Sequence, residues 1–438
     1  MTDYYCDLDA DFDNPANVGD ATDNPALGPG GLQSMIEGWG NHDALTPSDT
    51  LYAKGTGDLS KLVKITVDVD KSGTWAISDV VENHNDGGGA NGDDWVGELV
   101  YINATTLWVQ INAASTDIAS VDTADGVYNV SQTDEIAGAN MTAAAAPGIQ
   151  LDNNSGSDGS PIRVVGCADD ASFTVDGTPA VLDGDAAATY CLNISGPDYW
   201  EFRNVRFTDS LGDAVHPTSY GDNFHWHRCD FDNAGGDGMG TCRYSTLFAC
   251  RAYDNDAYGF DLYGSRAVGC QAYNNALAGF AMEQYSTAFG CWAWDNRSHG
   301  FHVTGAPQMI AQCVAHANDA SGVYTTKGPL IVVLCRLTAN ADYGIATDAT
   351  ATAYDLYNAL IDNVTGTRNG NVVLPNDLGS DTGLLTGTQG YEDAASGVLN
   401  LRIGAAGYRT EIDLGGGQYL RAPRGLPAMI LPRVRSQG

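Results

Sequence analysis

Cys250-Arg-Ala-Tyr-Asp-Asn-Asp-Ala-Tyr-Gly-Phe260, Cys270-Gln-Ala-Tyr-Asn-Asn-Ala-Leu-Ala-Gly-Phe280 and Cys291-Trp-Ala-Trp-Asp-Asn-Arg-Ser-His-Gly-Phe301 are three versions of one unit. Outward from them the cysteine recurs, so that Cys229, Cys250, Cys270, Cys291, Cys313 and Cys335 follow at steps of 21, 20, 21, 22 and 22 residues. Asn255, Asn275, Asn296, Asn318 and Asn340 keep pace with it, as do Gly259, Gly279, Gly300, Gly322 and Gly344. Three registers locked to one period define a solenoid repeat.

Within each unit apolar and polar residues alternate over stretches such as Phe260-Asp-Leu262 and Phe301-His-Val303, the period of a strand. The Asn and Gly between strands supply the backbone freedom that tight corners require. A unit this short cannot hold a strand–helix–strand crossover, which needs about 30 residues. The core of a leucine-rich repeat, L-x-x-L-x-L, is missing, and Cys, Ala, Phe, Val and Met take the inward positions. The fold class is therefore all-β: a parallel β-helix solenoid in which each unit is one coil and coils stack about 4.8 Å apart. The cysteines become an interior ladder of buried thiols and the asparagines a corner ladder of hydrogen-bonded amides. No C-x-x-C pair occurs, so no zinc site is expected.

The solenoid is expected over residues 123–378, about a dozen coils. Gly126–Val130, Pro161–Val165 and Tyr190–Ile194 read as early coil strands, and Tyr354–Asn363 as the last full coil. Residues 1–61 form an N-terminal cap with a short amphipathic helix over Gly30–Trp39, because an open solenoid end exposes unpaired strands. Residues 62–122 read as a small β-barrel or sandwich module, with strands at Leu62–Val67, Thr74–Ile77, Asp79–Val81, Val96–Ile102 and Thr106–Ile111. Asp68-x-Asp70-x-Ser72-Gly73 with Asp79 imitates a calcium loop, although strands flank it, so a hairpin turn competes with that reading. Residues 379–438 read as a C-terminal β cap and tail.

Formal net charge is −34 over 438 residues, with 47 Asp against 8 Glu and five Lys. Such a chain repels phosphates, which argues against nucleic acid as a partner. A basic group at Arg421, Arg424, Arg433 and Arg435 could dock on an acidic partner or be a solvated tail. No apolar run approaches 18 residues, so no membrane span is expected. Met1-Thr-Asp-Tyr-Tyr-Cys-Asp7 lacks a signal-peptide pattern, so classical secretion is not expected.

The coils from 229 to 345 and the approach Tyr199-Trp-Glu-Phe-Arg-Asn-Val-Arg-Phe207 resemble the pectin-lyase-like family of right-handed parallel β-helices. That resemblance covers a little over half the chain and implies a right-handed helix. It leaves the activity open, because the family includes pectate lyases, polygalacturonases, alginate epimerases and phage tailspikes. The 62–122 module resembles small β modules of tailed-phage structural proteins. Together these imply a virion structural protein, a spike, fibre or capsid decoration. By family analogy it would be a homotrimer working with other virion proteins on a host-surface polysaccharide. The alternative is a polysaccharide lyase, hydrolase or epimerase acting on an acidic glycan, with an extracellular location. The Gly-His-Gly and Arg-x-Lys of polygalacturonases are absent. Asp261-Leu-Tyr263 departs from the Asp-Pro-His-Asp of alginate epimerases, and Ser298-His-Gly-Phe-His302 is similar to their His-Gly step without its neighbours.

Three groups could carry function. Asp213, His216, His227, Asp230 and Asp237, with Asp209, His225 and Asp232 nearby, could do acid–base work or bind Ca²⁺. They could equally be polar loop residues of adjacent coils. His299, His302 and His316 form a smaller group with the same two readings. Tyr253, Tyr273, Trp292 and Trp294 form an outward aromatic stripe for stacking on sugars or for a subunit interface. No cofactor beyond Ca²⁺ is implied.

Overall fold

The structure is a computed structural model. It describes residues 2–10, 19, 21, 25–39, 44–84, 95–112, 126–219, 222–305, 307–356 and 358–373, and four short strands beyond 390. Residues 1–377 form one unit and 378–438 another.

Among the described residues, the first unit holds a parallel β-solenoid of about 14 turns, one antiparallel sheet and one α-helix. One coil shows the plan. Phe260–Tyr263 lies in sheet one, Arg266–Val268 in sheet two and Gln271–Tyr273 in sheet three. The next coil repeats this in register, with Phe260 beside Phe280, Ala267 beside Ala288 and Ala272 beside Ala293. The three sheets hold 10, 13 and 10 strands, so sheet two begins earlier than the others.

Those extra strands come from the N-terminal segment. Asp3–Asp7, Ala26–Leu27 and Thr50–Lys54 start sheet two, and Thr56–Asp58 starts sheet three. The segment assigned to a cap therefore also builds the first coils. The helix runs from Gly28 to Glu37 and does close the open end of sheet one. Gln33 makes the contacts a further strand would make: its Nε2 donates to Gln150 O at 3.0 Å and its Oε1 accepts from Gln150 N at 2.6 Å. Residues Gly28–Ile36 are all buried, so the helix is covered on every side rather than amphipathic. Val100 and Trp108 of the adjoining module join Leu32, Met35 and Ile36 in one apolar cluster.

That module is one seven-stranded antiparallel sheet rather than a sandwich, and it extends past residue 122. Gly126–Asn129, expected as a coil strand, pairs antiparallel with Val80–His84 and with Asp134–Ile136. Its short alternating pattern is common to both settings and could not separate them. The chain rejoins the solenoid at Ile149–Leu151. Thr74–Ile77 is a turn, with Trp75 Nε1 donating to Asp134 Oδ2 at 3.0 Å. The calcium-loop imitation is a turn as well: Asp70 Oδ1 accepts from the Ser72 N–H at 2.9 Å.

Side-chain ladders hold the corners. Asn255, Asn275, Asn296, Asn318, Asn340 and Asn363 pass Nδ2–H to Oδ1 from coil to coil at 2.8–3.0 Å. Each Nδ2 of the buried members also donates to a carbonyl of the preceding coil, as Asn275 does to Ala252 O. The glycine ladder follows from this one. A Cβ at Gly279 would lie 2.9 Å from Asn296 Nδ2 and 3.1 Å from Ala272 Cβ. Only a bare backbone passes there. Cys229, Cys250, Cys270, Cys291, Cys313 and Cys335 are buried free thiols at the corner between sheets two and three. Burial holds the Cys250, Cys291 and Cys313 thiols protonated, well above the usual thiol range. A fourth ladder, unmarked by the sequence reading, runs through Ser245, Ser265 and Ser286 between sheets one and two. Inside, Phe260, Phe280 and Phe301 stack at 5.2 and 4.9 Å.

After Tyr354–Asn363 the solenoid adds Gly366–Asn369 and Val372–Val373, inside the expected span 123–378. Beyond 378, Tyr391–Glu392 pairs antiparallel with Asn400–Leu401, and Glu411–Asp413 with Tyr419–Arg421. The rest of the expected C-terminal cap and, of the basic group, Arg424, Arg433 and Arg435 lie outside the described residues, whereas Arg421 ends the last strand.

Candidate functional site

A coil is three-sided, so residues close in sequence project from different faces. The sequence cluster around Asp213 divides accordingly. Asp213, His216 and Asp237 stay together at sheet one. His225 and His227 stand on sheet two. Asp230 and Asp232 stand on sheet three. Asp209 occupies a left-handed corner after sheet three, with φ 57°.

Two columns line the outer edge of sheet one. The residue before Gly238, Gly259, Gly279, Gly300 and Gly322, which hold one place in successive coils, gives Asp237, Tyr258, Ala278, His299 and Ser321. The residue two after each gives Gly240, Asp261, Ala281, His302 and Tyr324. Asp213 and His216 occupy the same two places one coil earlier, around Ala214. Asp237 falls within the sequence-derived group. Asp261 and Tyr258 do not, although reading these two positions down successive coils finds both.

His216 Nδ1 lies 2.7 Å from Asp213 Oδ2, and its ring stacks on Tyr190 at 4.1 Å. Asp213 Oδ1 accepts the Asp237 N–H at 2.8 Å, and Asp237 Oδ1 accepts the Tyr258 N–H at 2.8 Å. The two carboxyls lean the same way, so their separation follows the rung spacing, about 5 Å. Burial pushes Asp237 up to about 7, against the Tyr258 N–H and helped by the charge of Asp213. Burial pushes Asp261 up to about 6, opposed by its hydrogen bond from Thr241 Oγ1 and helped by Glu283. Two acids that change protonation near neutrality thus lie beside Asp213 and its histidine.

Further along the same face, His299 and His302 have ring centroids 5.5 Å apart, and Tyr324 stacks on His299 at 4.5 Å. His316 is not with them; it is on sheet three. Burial, and then His302, pull His299 down to about 4, and burial lowers His302. His299 Nδ1 accepts the Ser321 N–H at 3.1 Å, which places its proton on Nε2. Ala278 and Ala281 lie between the two groups, and Tyr258 reaches His302 across them, 6.4 Å between centroids.

The other sequence candidates are held in structural contacts. Arg206 Nε donates to Asp232 Oδ1 at 2.9 Å, and Arg251 Nε to Asp230 Oδ1 at 2.7 Å. Asp232 is fully buried under its arginine. His227 Nε2 lies 3.4 Å from Glu201, and burial lowers its pKa against that carboxylate. Tyr253, Tyr273 and Trp294 form a column with His316 next in register. They stack on one another at 4.9 and 4.4 Å with interplanar angles of 2° and 11°. Their faces are spent on each other, so ring edges face outward and the stripe is poorly suited to stacking on sugars. Trp292 belongs to the neighbouring column and stands edge-on to Trp294 at 80°.

Among the described residues, Asp7, Asp9 and Asp169 are the carboxylates close enough to share a cation. Lys54 Nζ already sits 3.0 Å from Asp7 and 3.3 Å from Asp169 and supplies the positive charge.

Residues 148–309 match the family described as right handed beta helix region. Among solved structures, the chain is similar to pectate lyase Pel9A, at 16% identity over 86% of this chain and 78% of that chain, with a TM-score of 0.51. It also matches the periplasmic alginate epimerase AlgG, at 13% identity over 49% and 51% of the two chains, TM-score 0.33. A tailspike protein, gp49 from Pseudomonas phage LKA1, matches at 11% identity over 78% and 70%, TM-score 0.17. Comparison with curated proteins finds no match. Residues 148–309 thus match a right handed beta helix region, and the likeness to pectate lyase Pel9A is one of fold.

Proposed function

We propose that the protein cleaves a polysaccharide by hydrolysis at the outer edge of sheet one, with Asp237 as general acid and Asp213 as its partner carboxylate. The observation that carries this is the pair itself: neighbouring carboxyls in unlike surroundings, one pushed up to about 7 and the other bonded to His216. Asp237 keeps its proton near neutrality and can give it to the leaving glycosidic oxygen. Asp213 then attacks or stabilises the anomeric carbon, and water later releases the sugar. A spacing near one rung favours the double-displacement geometry, in which the carboxyls are about 5–5.5 Å apart and configuration is retained. Elimination or epimerisation of an acidic glycan fits less well. Those reactions need a positive charge on the sugar carboxylate, and neither column holds a Lys or Arg from Asp213 to Tyr324. The test is release of reducing ends from neutral and uronic-acid polysaccharides by purified protein. Turnover that disappears in Asp237→Asn supports the reading. No turnover on any polysaccharide, or full activity in Asp237→Asn, overturns it.

A virion spike, fibre or decoration is the second reading, and one observation favours it. The outer face of sheet two carries Phe248, Val268, Phe289, Met309, Ile331, Tyr354 and Val373 in a chain of net charge −34. Phe248, Tyr354 and Val373 are 40–47% exposed. An uncharged strip on an acidic protein is where a second copy can approach without repulsion. A homotrimer built on that face would occupy the virion, or the extracellular space if the protein is secreted. Sedimentation at micromolar concentration tests it: a trimer broken by Phe248→Asp supports the reading, and a monomer sinks it.

A further inference from the structure

At the corner between sheets one and two, the residue before each ladder serine is left-handed: Tyr244 at φ 47°, Gly264 at 60° and Tyr285 at 61°. Asn223 holds the same position one coil earlier, at 64°. Asn and Gly tolerate that region, whereas a bulky aromatic residue there is an outlier. Burial does not compensate, because Tyr244 is 51% and Tyr285 63% exposed. The neighbouring glycine gives the first ring its seat. A Cβ at Gly264 would lie 2.7 Å from Tyr244 Cδ1 and Cε1, so the Tyr244 ring lies against bare backbone. Tyr263 stands edge-on to Tyr244 at 6.2 Å and 87°, and the Arg243 guanidinium lies 4.6 Å from the Tyr263 ring centroid. Tyr263 is two residues after Asp261 on one strand and shares its outward face.

We propose that Tyr244, Tyr263 and Tyr285 form an aromatic lip that binds pyranose rings of a neutral polysaccharide beside Asp237 and Asp261. This rests on the acid–base reading of that edge. Tyrosine suits the task because its ring packs on the C–H face of a sugar while its hydroxyl stays wet. Tyr244 and Tyr285 are two rungs apart, roughly 10 Å. That span fits an oligosaccharide lying along the solenoid axis rather than a single sugar. A neutral chain is specified because Glu283, next in register to Tyr263, stands beside the lip in a chain of net charge −34 and repels uronates. Unlike Tyr253, Tyr273 and Trp294, Tyr244 and Tyr263 meet edge to face.

The test uses the full chain and calorimetric titration with cellohexaose, maltohexaose, mannohexaose and hexagalacturonate. The variant is Tyr244→Gly with Tyr285→Gly, which repeats the residue found at 264 and removes both rings without straining the corner. Tyr285→Asn, matching Asn223, is the second variant. Wild type is expected to bind at least one neutral hexasaccharide and not hexagalacturonate. The double variant should fold with an unchanged or higher melting temperature and bind that sugar at least tenfold more weakly. No neutral hexasaccharide bound by wild type, preference for hexagalacturonate, or unchanged affinity in the folded variants overturns the lip. Asp237→Asn separates the two readings. If it keeps the affinity and loses turnover, both stand. If the tyrosine variants lose binding while wild type has no turnover, the lip stands and the acid–base reading falls.

Discussion

Asp213 Oδ1 accepts the Asp237 N–H at 2.8 Å, and Asp237 Oδ1 makes the same bond to the Tyr258 N–H one coil later. The repeat thus sets the carboxyls in parallel, while their surroundings differ. With Asp237 as the acid, Asp237→Asn should lower kcat by about 10²–10⁴-fold with little change in KM. Activity should fall as pH rises through about 7, where Asp237 loses its proton. An alkaline limb that persists unchanged in Asp237→Asn would assign the acid elsewhere.

The same shift affects stability. Asp237 is raised from 3.8 to about 7 in the folded state, so the folded protein binds the proton more tightly than the unfolded chain. Its contribution is fully present below about pH 4 and is lost as pH rises through about 7. The lost stability is about 4 kcal/mol. Urea unfolding at pH 4.5 and 7.5 checks this: Asp237→Asn should show a smaller loss than wild type across that interval.

The amide ladder makes a sharper prediction. Asn275 donates to Ala252 O and Asn296 Oδ1 and accepts from the N–H and Nδ2 of Asn255. Asn275→Ala leaves these buried groups unpaired and should cost about 3 kcal/mol. Gly279→Ala, which drives a Cβ into Asn296 Nδ2 at 2.9 Å, should cost about 1–3 kcal/mol. Asn363→Ala, at a half-buried end of the ladder, should cost less. Equal unfolding midpoints for Asn275→Ala and Asn363→Ala would show that the amides act singly.

Much of the solenoid was legible because its ladders are periodic. Cys, Asn and Gly mark fixed corners, and each mark has one physical cause: a small apolar filler, a four-bonded amide, or a clash that excludes Cβ. The N-terminal coils escaped because Asp3–Asp7 and Thr50–Lys54 occur once each; Asp3–Asp7 joins the solenoid only through Thr50–Lys54, which pairs with Ile162–Cys167 more than 100 residues away. Gly126–Asn129 was misassigned because four alternating residues do not tell parallel from antiparallel partners. The site was half legible. Asp213, His216 and Asp237 are close in sequence and remain together, whereas His227 and Asp230 share the sequence window and turn to other sides of the coil. Tyr244 and Tyr285 give no sequence signal at all. Their left-handed backbone becomes visible only when the corner is aligned with Asn223 and Gly264.

The histidine pair predicts the opposite pH trend to Asp237. His299 is lowered from 6.5 to about 4 by burial and by His302, so here the unfolded chain binds the proton more tightly. The stability this group contributes is present above pH 6.5 and is lost as pH falls through about 4. Protonation would also break the acceptor role of Nδ1 toward the Ser321 N–H. The acid loss attributable to His299 is about 3 kcal/mol. His299→Gln keeps an acceptor for Ser321 and removes the titration. Its unfolding free energy should therefore vary less between pH 6.5 and 4.5 than that of wild type. Because Asp237 and His299 act in opposite directions over nearly the same interval, wild type alone would show a shallow curve. Only the two single variants, compared with it, separate the slopes, and parallel curves for wild type and His299→Gln would mean that this imidazole already takes up its proton in the folded protein.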